Sequence, residues 1–558
     1  MSAVDRAQAA ATADMSAGGN HPRADAADAT AYRASGAWGS ETLSSCVARN
    51  AQTHPDEAAF VMPAGSFSWA RYDAAGNRVA AGLSETAQAG ERVAVLLPDG
   101  PAVHAALLGI ERAGLVAVGI GIRAGIAEIA HLLRRTGART LIAHQAIGDG
   151  TADQLRETLE NQGIAPLRIV VVPDLMKEPE WGAGAAEVDA SDGLDPDALF
   201  LINSTSGTTG MPKCVMHTQN RWFYFHRLAA EAGNFQDDEI FLGAVPAPFG
   251  FGLWTSHFSP AALGAPTVVM EKFDAGLALD LIAEHRVTVL CCVSTQFIMM
   301  LNEQARKPRD LSSLRCMFTG GEAVPYARAA EFEEVTGAAV LQFYGSNETG
   351  ALSHTSHRDS RDRRLKTAGK VIPEMNVRLF DPATGADVTN ADGSGRGQPG
   401  CRGPATCLGY WNDAEANAAL FTEDGYMLMG DIVEIDAEGY LTVVGRTSEF
   451  IIRGGKNLSA PAIEAEVASH PDVAICAAVA APDPIFGERV CIYLEPQGDA
   501  EPTLEDIVAH LRARGVSREW FPEHLVLMDD LPRSSGGKVA KGELTKDAAR
   551  RWGDADAR

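Results

Sequence analysis

The sequence predicts an α/β protein with a large N-terminal domain of helix-flanked β-sheets plus a β-barrel-like part, and a small α+β C-terminal domain. Apolar strand-like runs alternate with helical patterns, as in "RVAVLLP" (92–98) followed by "AVHAALLGIERAG" (102–114). Later segments such as "GYMLMGDIVEIDAEGYLTVVGR" (425–446) are punctuated by glycine, as β hairpins are. The 558 residues also exceed what one hydrophobic core usually holds, which indicates at least two domains.

Residues 1–35 mix Ala, Asp, Gly and Arg and lack an apolar segment, so we expect a flexible tail and no secretory signal. Beyond the first strand and helix, a strand is predicted at 115–121, and helix–strand units follow at 127–144 and 278–294. This alternation predicts parallel sheets with helices on their faces.

The segment from Ile240 to Met270 carries no Asp, Glu, Lys or Arg and is long enough to span a bilayer. Prolines and glycines interrupt it repeatedly, so we predict short buried pieces and the wall of an apolar cavity. No integral membrane segment is therefore expected.

The C-terminal region contains two predicted strands around "DAEG" within 425–446, and predicted helices near 461–470 and 504–515. About a hundred residues follow "GRTSEF" (445–450), which is enough for a small α+β domain. We therefore divide the chain into a flexible tail 1–35, a large domain 36–447 and a small domain 448–558.

The composition is that of a globular protein, with 46% hydrophobic and 22% charged residues. A formal charge of -25 argues against nucleic acid or an anionic membrane as a partner. The nine cysteines contain no C-x-x-C pair, so they suggest neither a disulfide framework nor a zinc site. A reducing cytoplasm fits this cysteine usage.

The stretch "NSTSGTTGMPKCVMHT" (203–218) follows the strand-like "ALFLINST" (198–205) and concentrates glycines and hydroxyls before Lys213. Glycines let successive N–H groups point to one concave site, and hydroxyls and a lysine add donors, which suits a polyphosphate. The spacing G-x-x-G-x-P-K differs from a Walker A loop. Taken alone, a solvated Ser/Thr/Gly turn is the alternative. The loop residues are Thr205, Ser206, Gly207, Thr208, Thr209 and Gly210.

The loop "TSGTTGMPK" resembles the phosphate loop of adenylate-forming enzymes, which include acyl-CoA synthetases, firefly luciferase and nonribosomal-peptide adenylation domains. Further segments resemble the family in the family's order, and the resemblance extends over residues 40–545. They are "GGEAVP" (320–325), "YGSNETG" (344–350), "GD" (430–431), "GRTSEFIIRGGKNLSAPAIE" (445–464) and "PRSSGGKV" (532–539). The resemblance implies that a carboxylate attacks ATP to give acyl-AMP and pyrophosphate, and that a thiol, usually of coenzyme A, then takes the acyl group.

The family's roles carry over to matching residues. Glu348 resembles the Mg²⁺ ligand, Thr349 would donate to the α-phosphate, and Tyr344 would lie against the adenine. Asp431 would accept the ribose hydroxyls, and Arg446 would bind ribose or phosphate. Without the resemblance, Glu348 is an ordinary loop carboxylate and Asp431 an ordinary hairpin residue. Further nucleotide-binding positions are Gly321, Glu322, Ala323, Gly345, Ser346 and Asn347, the last standing where the family more often has Thr.

The small domain is expected to be mobile, because the family rotates it between the two half-reactions. Lys538 matches the lysine that reaches the α-phosphate and the substrate carboxylate in the first step, although an isolated lysine beside glycines is more often a surface residue. The pivot falls on Ser448, where Asp or Lys is commoner. After rotation, Gly454 and Gly455 would let the backbone approach the pantetheine closely.

The acid is expected to be apolar. Phe249 falls where an aromatic gate separates acyl pocket from thiol tunnel, with a core phenylalanine as the alternative. The other pocket candidates are Trp254, Phe258, Val293, Gly320 and Gly321. An amino acid is disfavoured, because the carboxylate that would hold its ammonium group is missing between Ile240 and Met270. The resemblance is greatest to ligases for cyclohexanecarboxylate and medium-chain acids.

The leading hypothesis is thus an ATP-dependent acid:CoA ligase with ATP, Mg²⁺ and coenzyme A as cofactors and a small carboxylic acid as partner. The chain ends soon after Lys538 without a carrier domain, which favours free coenzyme A. An acyl-AMP ligase that loads a separate carrier protein is the nearest alternative. A luciferase-like oxygenase ranks lower, as does a nucleotide-binding sensor or scaffold. A homodimer is compatible with the resemblance.

Overall fold

The computed structural model describes residues 24–147, 150–164, 167–176, 194–204, 211–321, 324–446, 450–453, 456–533 and 539–553.

A six-stranded, mostly parallel sheet forms one layer of the large part of the chain. Its strands come from near-continuous apolar runs, because helices cover both faces. In spatial order they are Cys214–Thr218, Leu199–Ser204, Val116–Gly119, Arg92–Leu96, Thr140–His144 and Arg168–Val172. The first of these runs antiparallel to its neighbour, and the other pairs are parallel.

A nine-stranded sheet forms a second layer. Its central strands are parallel, with Leu242 opposite Leu290 and Met317 opposite Val340, and antiparallel pairs lie at both edges. In spatial order the strands are Lys370–Val371, Gly350–His354, Ala339–Ser346, Cys316–Gly320, Val289–Cys291, Phe241–Gly243, Thr267–Val268, Ala58–Met62 and Gly65–Ser68.

The later part of the chain forms smaller sheets. One antiparallel sheet consists of Arg378–Phe380, Gly395–Cys401, Met427–Leu428, Asp431–Ile435 and Leu441–Arg446. The C-terminal sheet consists of Lys456–Ser459, Phe450–Arg453, Gly487–Pro496, Val473–Asp483 and His524–Leu527. A two-stranded ribbon pairs Ala146–Ile147 with Gly150–Thr151.

Helices pack on these sheets. Up to the middle of the chain the α-helices are Ala26–Ala34, Leu43–Thr53, Trp69–Ser84, Pro101–Arg112, Ile126–Thr136, Ala152–Asn161, Gln219–Gly233, Gly250–Leu253, Ser259–Leu263 and Ala275–His285. Those that follow are Ser294–Arg306, Tyr326–Thr336, Arg361–Lys366, Ala414–Leu420, Ala460–Val467, Leu504–Ala513 and Lys541–Trp552. A π-helical turn covers Trp254–Phe258, and 3₁₀ turns cover Pro373–Met375 and Arg518–Trp520.

Glycines let two helices of the core approach closely. A Cβ on Gly109 of Pro101–Arg112 would lie 2.4 Å from Val79 of Trp69–Ser84, and one on Gly76 would lie 2.5 Å from Leu108. All twelve residues of Pro101–Arg112 are buried as a result. This helix supports the six-stranded sheet from within the molecule.

The predicted α/β fold with a small C-terminal domain is confirmed. The uncharged segment 240–270 forms short pieces, as expected, with a strand, three helical turns in succession and a two-residue strand. Among the described residues, no helix has both the length and the apolar character needed to cross a bilayer.

The prediction of a flexible tail over 1–35 is wrong for its last dozen residues. Ala26–Ala34 is a helix whose N-terminus is capped by the Asp25 carboxylate. Arg33 forms a 2.6 Å ion pair with Asp197, and Asp28 pairs with Arg402 at 2.9 Å. The composition did not predict this helix because a cap and distant ion pairs hold it in place together with two core-packed side chains, Ala29 and Tyr32. Residues 1–23 lie outside the described residues.

Candidate active site

The carboxyl ends of the two large sheets meet at one place. The strand Leu199–Ser204 belongs to the six-stranded sheet, and Ala339–Ser346 belongs to the nine-stranded sheet. Their ends are joined by side-chain amides, because Asn347 Nδ2 donates to Asn203 Oδ1 over 2.7 Å. Ligands of open α/β sheets bind at such carboxyl ends, which makes this junction the candidate site.

The junction carries a tight turn, residues 346–349, which we call the Glu348 turn. The Ser346 amide donates to Thr349 Oγ1 over 3.0 Å, and the Glu348 amide donates to Ser346 Oγ over 3.2 Å. A Cβ on Gly345 would lie 1.7 Å from the Gly350 carbonyl oxygen, so only glycine fits before the turn. These local bonds present the Glu348 side chain from a fixed backbone.

Glu348 is half-buried and oriented by a tyrosine that the sequence analysis missed. The Tyr410 hydroxyl donates to Glu348 Oε1 over 2.7 Å. Burial, and then the charge of Glu348, hold the pKa of Tyr410 well above its usual value, so the hydroxyl keeps its proton. Lys213 lies 4.7 Å from the centroid of the same ring. A carboxylate with hydroxyls in the same turn offers the oxygen donors that Mg²⁺ prefers.

Both flanks of the predicted phosphate loop therefore border the Glu348 turn. Asn203, two residues before Thr205, bonds to Asn347, and Lys213, three residues after Gly210, packs on the tyrosine that holds Glu348. The loop residues themselves, Thr205, Ser206, Gly207, Thr208, Thr209 and Gly210, lie outside the described residues.

A second acidic residue lies on the neighbouring antiparallel sheet. The strand register places Asp431 directly opposite Arg446, whose Nε donates to Asp431 Oδ1 over 2.8 Å. The Tyr344 hydroxyl donates to Asp431 Oδ2 over 2.8 Å. Burial and the Asp431 carboxylate raise the pKa of Tyr344 well above its usual value. The structure thus brings Tyr344, Asp431 and Arg446 into one hydrogen-bonded set, and Tyr344 stands four residues before Glu348 in the sequence.

Three of the residues predicted to line the acid pocket are buried in the hydrophobic interior. Trp254 and Phe258 are fully buried, Trp254 among Phe318, Phe343 and other aromatic rings. Val293 is buried at the start of the helix Ser294–Arg306. These three side chains are therefore part of the buried packing of the large part of the chain.

Phe249 and Gly320 lie beside segments that adjoin the Glu348 turn, because Pro248 bonds to Asn203 and Gly320 pairs with Phe343. Phe249 is half-buried and follows Pro248, whose carbonyl accepts a hydrogen bond from Asn203 Nδ2 over 3.2 Å. A Cβ on Gly320 would lie 2.2 Å from the Phe343 carbonyl oxygen, so glycine is required at the end of the strand Cys316–Gly320. Gly321 follows with φ +76°, a left-handed conformation that also favours glycine.

A cavity of about 670 Å³ lies where the C-terminal part meets the large part. The large part contributes Arg123, Lys272 and Met299, and the C-terminal part contributes Tyr493, Asp530 and Arg533. This volume is within the range of small-molecule sites. Arg533, which lines the cavity, stands five residues before Lys538 in the sequence.

Several predicted residues cannot be placed. Six of them lie outside the described residues: Lys538, Glu322, Ala323, Ser448, Gly454 and Gly455. Their assigned roles stay predictions.

A buried arginine, Arg221, also touches the Glu348 turn and was missed by the sequence analysis. Its Nη2 donates to the carbonyl oxygens of Asn347 (3.1 Å) and Glu348 (3.4 Å). The signal was its position on the helix Gln219–Gly233, where Arg221 shares a face with the buried Phe225 and Leu228. A charged residue on an apolar face indicates a buried cation with a structural or functional partner.

Two family models match the chain. The model described as AMP-binding enzyme matches residues 47–411, and the model described as AMP-binding enzyme C-terminal domain matches residues 462–538. The first match alone spans more than half of the 558 residues.

Known proteins and solved structures are similar over nearly the whole chain. The medium-chain fatty-acid–CoA ligase of Escherichia coli (strain K12) is 28% identical over 533 residues, covering 93% of each chain. Pyochelin synthase PchD of Pseudomonas aeruginosa (strain UCBPP-PA14) is 29% identical over 528 residues, covering 92% of this chain and 93% of that protein. The o-succinylbenzoate CoA synthetase structure from Bacillus subtilis, in complex with its acyl-adenylate intermediate, has a TM-score of 0.75 at 26% identity, covering 89% and 97% of the chains.

Proposed function

Because the chain belongs to the AMP-binding enzyme family, we propose that this AMP-forming acid–thiol ligase joins an apolar carboxylic acid to free coenzyme A, using ATP and Mg²⁺. The observation that carries the proposal is the meeting of both flanks of the 205–210 loop with the Glu348 turn. A loop rich in glycine and hydroxyls beside a metal-binding carboxylate is the combination that a nucleotide triphosphate requires.

In the proposed first step, a carboxylate oxygen of the acid attacks the α-phosphorus of ATP. The bond from that phosphorus to the β-phosphate oxygen breaks, and pyrophosphate leaves with the electron pair. The step brings anions together, so positioning and charge neutralisation dominate its catalysis. Lys213 and Lys538 supply positive charge, and Thr349 donates to the α-phosphate.

A bound Mg²⁺ would supply positive charge to offset the negative charge of the phosphates. Glu348 would hold it, and the Tyr410 hydroxyl fixes the direction of that carboxylate. Asp431 and Arg446 orient the ribose, and Tyr344 lies along the adenine while bonded to Asp431.

In the proposed second step, the thiol sulfur of coenzyme A attacks the acyl carbon and AMP leaves with the former carboxylate oxygen. We propose that the small domain, residues 448–558, rotates about Ser448 between the steps. Gly454 and Gly455 would then border the pantetheine, since glycines allow a close backbone approach.

The apolar acid is supported by the walls near the Glu348 turn. No carboxylate or ammonium side chain occurs between Ile240 and Met270, and the half-buried Phe249 follows the Pro248 carbonyl that contacts Asn203. An apolar pocket discriminates by only about 1–3 kcal/mol per methylene, so we expect a range of ring-containing and medium-chain acids to react.

Free coenzyme A is proposed as the acceptor because the E. coli relative is a fatty-acid–CoA ligase. The alternative is an acyl-AMP ligase that loads a separate carrier protein, and it is weighed because a relative from Bacillus subtilis (strain 168) is described as a 2,3-dihydroxybenzoate-AMP ligase. We place the reaction in the cytoplasm and retain a homodimer as a prediction, which light scattering of the purified protein would test.

The test is pyrophosphate release measured across aliphatic, alicyclic and aromatic acids, each with and without coenzyme A. We expect release to depend on the acid, to be greatest for apolar acids, and to become catalytic when coenzyme A is added. Acid-independent release would contradict the ligase proposal. Release that coenzyme A does not accelerate, but a phosphopantetheinyl carrier protein does, would favour the alternative acceptor.

A further inference from the structure

We infer that Arg221 is a positioning residue for the Glu348 turn and places a buried positive charge beneath the nucleotide. The inference rests on the proposed function, because the anion that this charge attracts is the triphosphate of the proposed substrate ATP. No family motif quoted above contains Arg221, which lies eight residues beyond Lys213.

The Arg221 guanidinium donates in four directions. Its Nε donates to the Ala405 carbonyl over 2.9 Å, and its Nη1 contacts His217 Nδ1 at 2.6 Å. Its Nη2 reaches the carbonyls of Asn347 and Glu348. The planar fork of an arginine can serve all these acceptors at once, whereas a lysine ammonium cannot match their geometry.

The acceptors are all neutral. Arg221 is 3% exposed, and its hydrogen bonds go to three backbone carbonyls and one imidazole nitrogen. The nearby charge of Glu348 also acts on Arg221, but the Glu348 carboxylate accepts none of these bonds. Burial lowers the pKa of Arg221 to about 10, so it remains charged at neutral pH. A buried cation whose hydrogen-bond acceptors are all neutral is unfavourable, and a further anion arriving nearby relieves that cost. The triphosphate of the proposed substrate is such an anion.

The neighbouring histidine must be neutral. Arginine only donates hydrogen bonds, so His217 Nδ1 accepts and the ring proton sits on Nε2, which donates to Asn203 Oδ1 over 2.7 Å. Burial and the charge of Arg221 lower the pKa of His217 well below its usual value, which agrees with this tautomer.

These bonds close a ring. Arg221 donates to His217, His217 donates to Asn203, Asn203 and Asn347 exchange amide bonds, and the Asn347 carbonyl accepts from Arg221. One arginine therefore ties the strand that precedes the 205–210 loop to the turn that carries Glu348. Loss of the guanidinium hydrogen bonds should make the Glu348 turn and the strand Leu199–Ser204 less well held, and loss of the positive charge should weaken anion binding.

The test uses the full chain with Arg221→Lys and Arg221→Met, and Arg227→Lys as matched control. Arg227 lies on the same helix but is exposed and donates to the Gly36 carbonyl. Calorimetric binding of ATP with Mg²⁺, without acid, is compared with the KM values for ATP and for the acid. We expect ATP affinity to fall about tenfold in Arg221→Lys and further in Arg221→Met, with the KM for the acid unchanged.

Equal ATP affinity in Arg221→Lys and Arg227→Lys would overturn the inference, as would equal losses for ATP and acid. If the Arg221 variants do not fold, His217→Phe replaces them, because a phenyl ring can keep the stacking of His217 on Trp222 while removing the acceptor. It should also weaken ATP binding, and an unchanged affinity would overturn the inference. A wild-type protein that binds ATP but releases no pyrophosphate would contradict the proposed function and leave the binding comparison valid.

Discussion

At the scale of single residues, the hydroxyl of Tyr410 controls which way the Glu348 carboxylate points. It is 2.7 Å from Glu348 Oε1, and its raised pKa keeps it a donor across the working pH range. We predict that Tyr410→Phe raises the Mg²⁺ concentration needed for half-maximal pyrophosphate release. A hydrogen bond to a charged group corresponds to roughly a tenfold effect or more, so kcat/KM for ATP should fall by about that factor.

The control for this variant is Tyr440→Phe. Tyr440 also donates to a carboxylate, Asp359 Oδ1 at 2.6 Å, but that pair lies outside the candidate site. A Mg²⁺ requirement that shifts equally in both variants would show that the effect is structural.

The candidate residues that the sequence alone suggested stand inside contiguous motifs, and their roles stay predictions. Glu348, Asp431 and Lys213 each belong to a short sequence pattern. In the structure Asp431 bonds to Tyr344, and Glu348 and Lys213 both contact Tyr410. Tyr410 could not be predicted in the same way, because its partner is 62 residues away in sequence. Arg221 acts through backbone carbonyls, which a sequence pattern does not reveal.

At the scale of secondary-structure elements, the helix Pro101–Arg112 buries a carboxylate in the core. Glu111 is 2% exposed and accepts the Ser44 amide at 3.3 Å, while the adjacent Arg112 pairs with Asp73. Burial raises the pKa of Glu111 from 4.5 to about 7. The folded state therefore holds a proton that the unfolded chain releases between these pH values.

This raised pKa makes stability fall as pH rises from about 4.5 to about 7, because over that range the folded state still binds a proton that the unfolded chain has released. We predict that Glu111→Gln, which removes this ionisation, gains apparent melting temperature relative to wild type as pH increases from 5 to 8. The difference between 4.5 and about 7 sets an upper limit of about 3 kcal/mol.

The comparison is thermal unfolding of Glu111→Gln, wild type and Glu157→Gln over that pH range. Glu157 is exposed on the helix Ala152–Asn161, so its substitution should leave the pH profile unchanged. A gap between Glu111→Gln and wild type that stays constant with pH would refute the prediction.

Elements were predictable where burial and periodicity agree. The strands Arg92–Leu96 and Leu199–Ser204 are apolar because helices cover both faces of their sheet. The helix Ala26–Ala34 was missed, since only Ala29 and Tyr32 among its described side chains pack with the core and its ion pairs Arg33–Asp197 and Asp28–Arg402 are distant in sequence. Such pairing depends on the assembled fold and leaves no periodic signal.

At the scale of the whole molecule, the small domain must serve both chemical steps of the proposed reaction. We predict that Lys538→Ala abolishes acyl-AMP formation yet leaves thioester formation from supplied acyl-AMP largely intact, because the lysine acts only in the first step. Each half-reaction is measured separately by product mass. Lys546→Ala, on the exposed face of the helix Lys541–Trp552, is the control. Equal loss of both steps in Lys538→Ala would show that the assignment is wrong.

The overall division into a large and a small part followed from chain length and from the change in strand pattern. The cavity between them did not, because Arg123 and Lys272 meet Asp530 and Arg533 only when the two parts are packed together. The local sequence contains no signal for how the large part and the C-terminal part pack together.

The central claim is that a carboxylate oxygen of the acid attacks the α-phosphorus of ATP. The most direct measurement uses an apolar acid labelled with ¹⁸O in its carboxylate, and determines by mass spectrometry where the label appears after complete thioester formation. The account predicts one ¹⁸O in the phosphate of AMP and none in pyrophosphate. Label in inorganic phosphate together with ADP, or AMP without label, would contradict it.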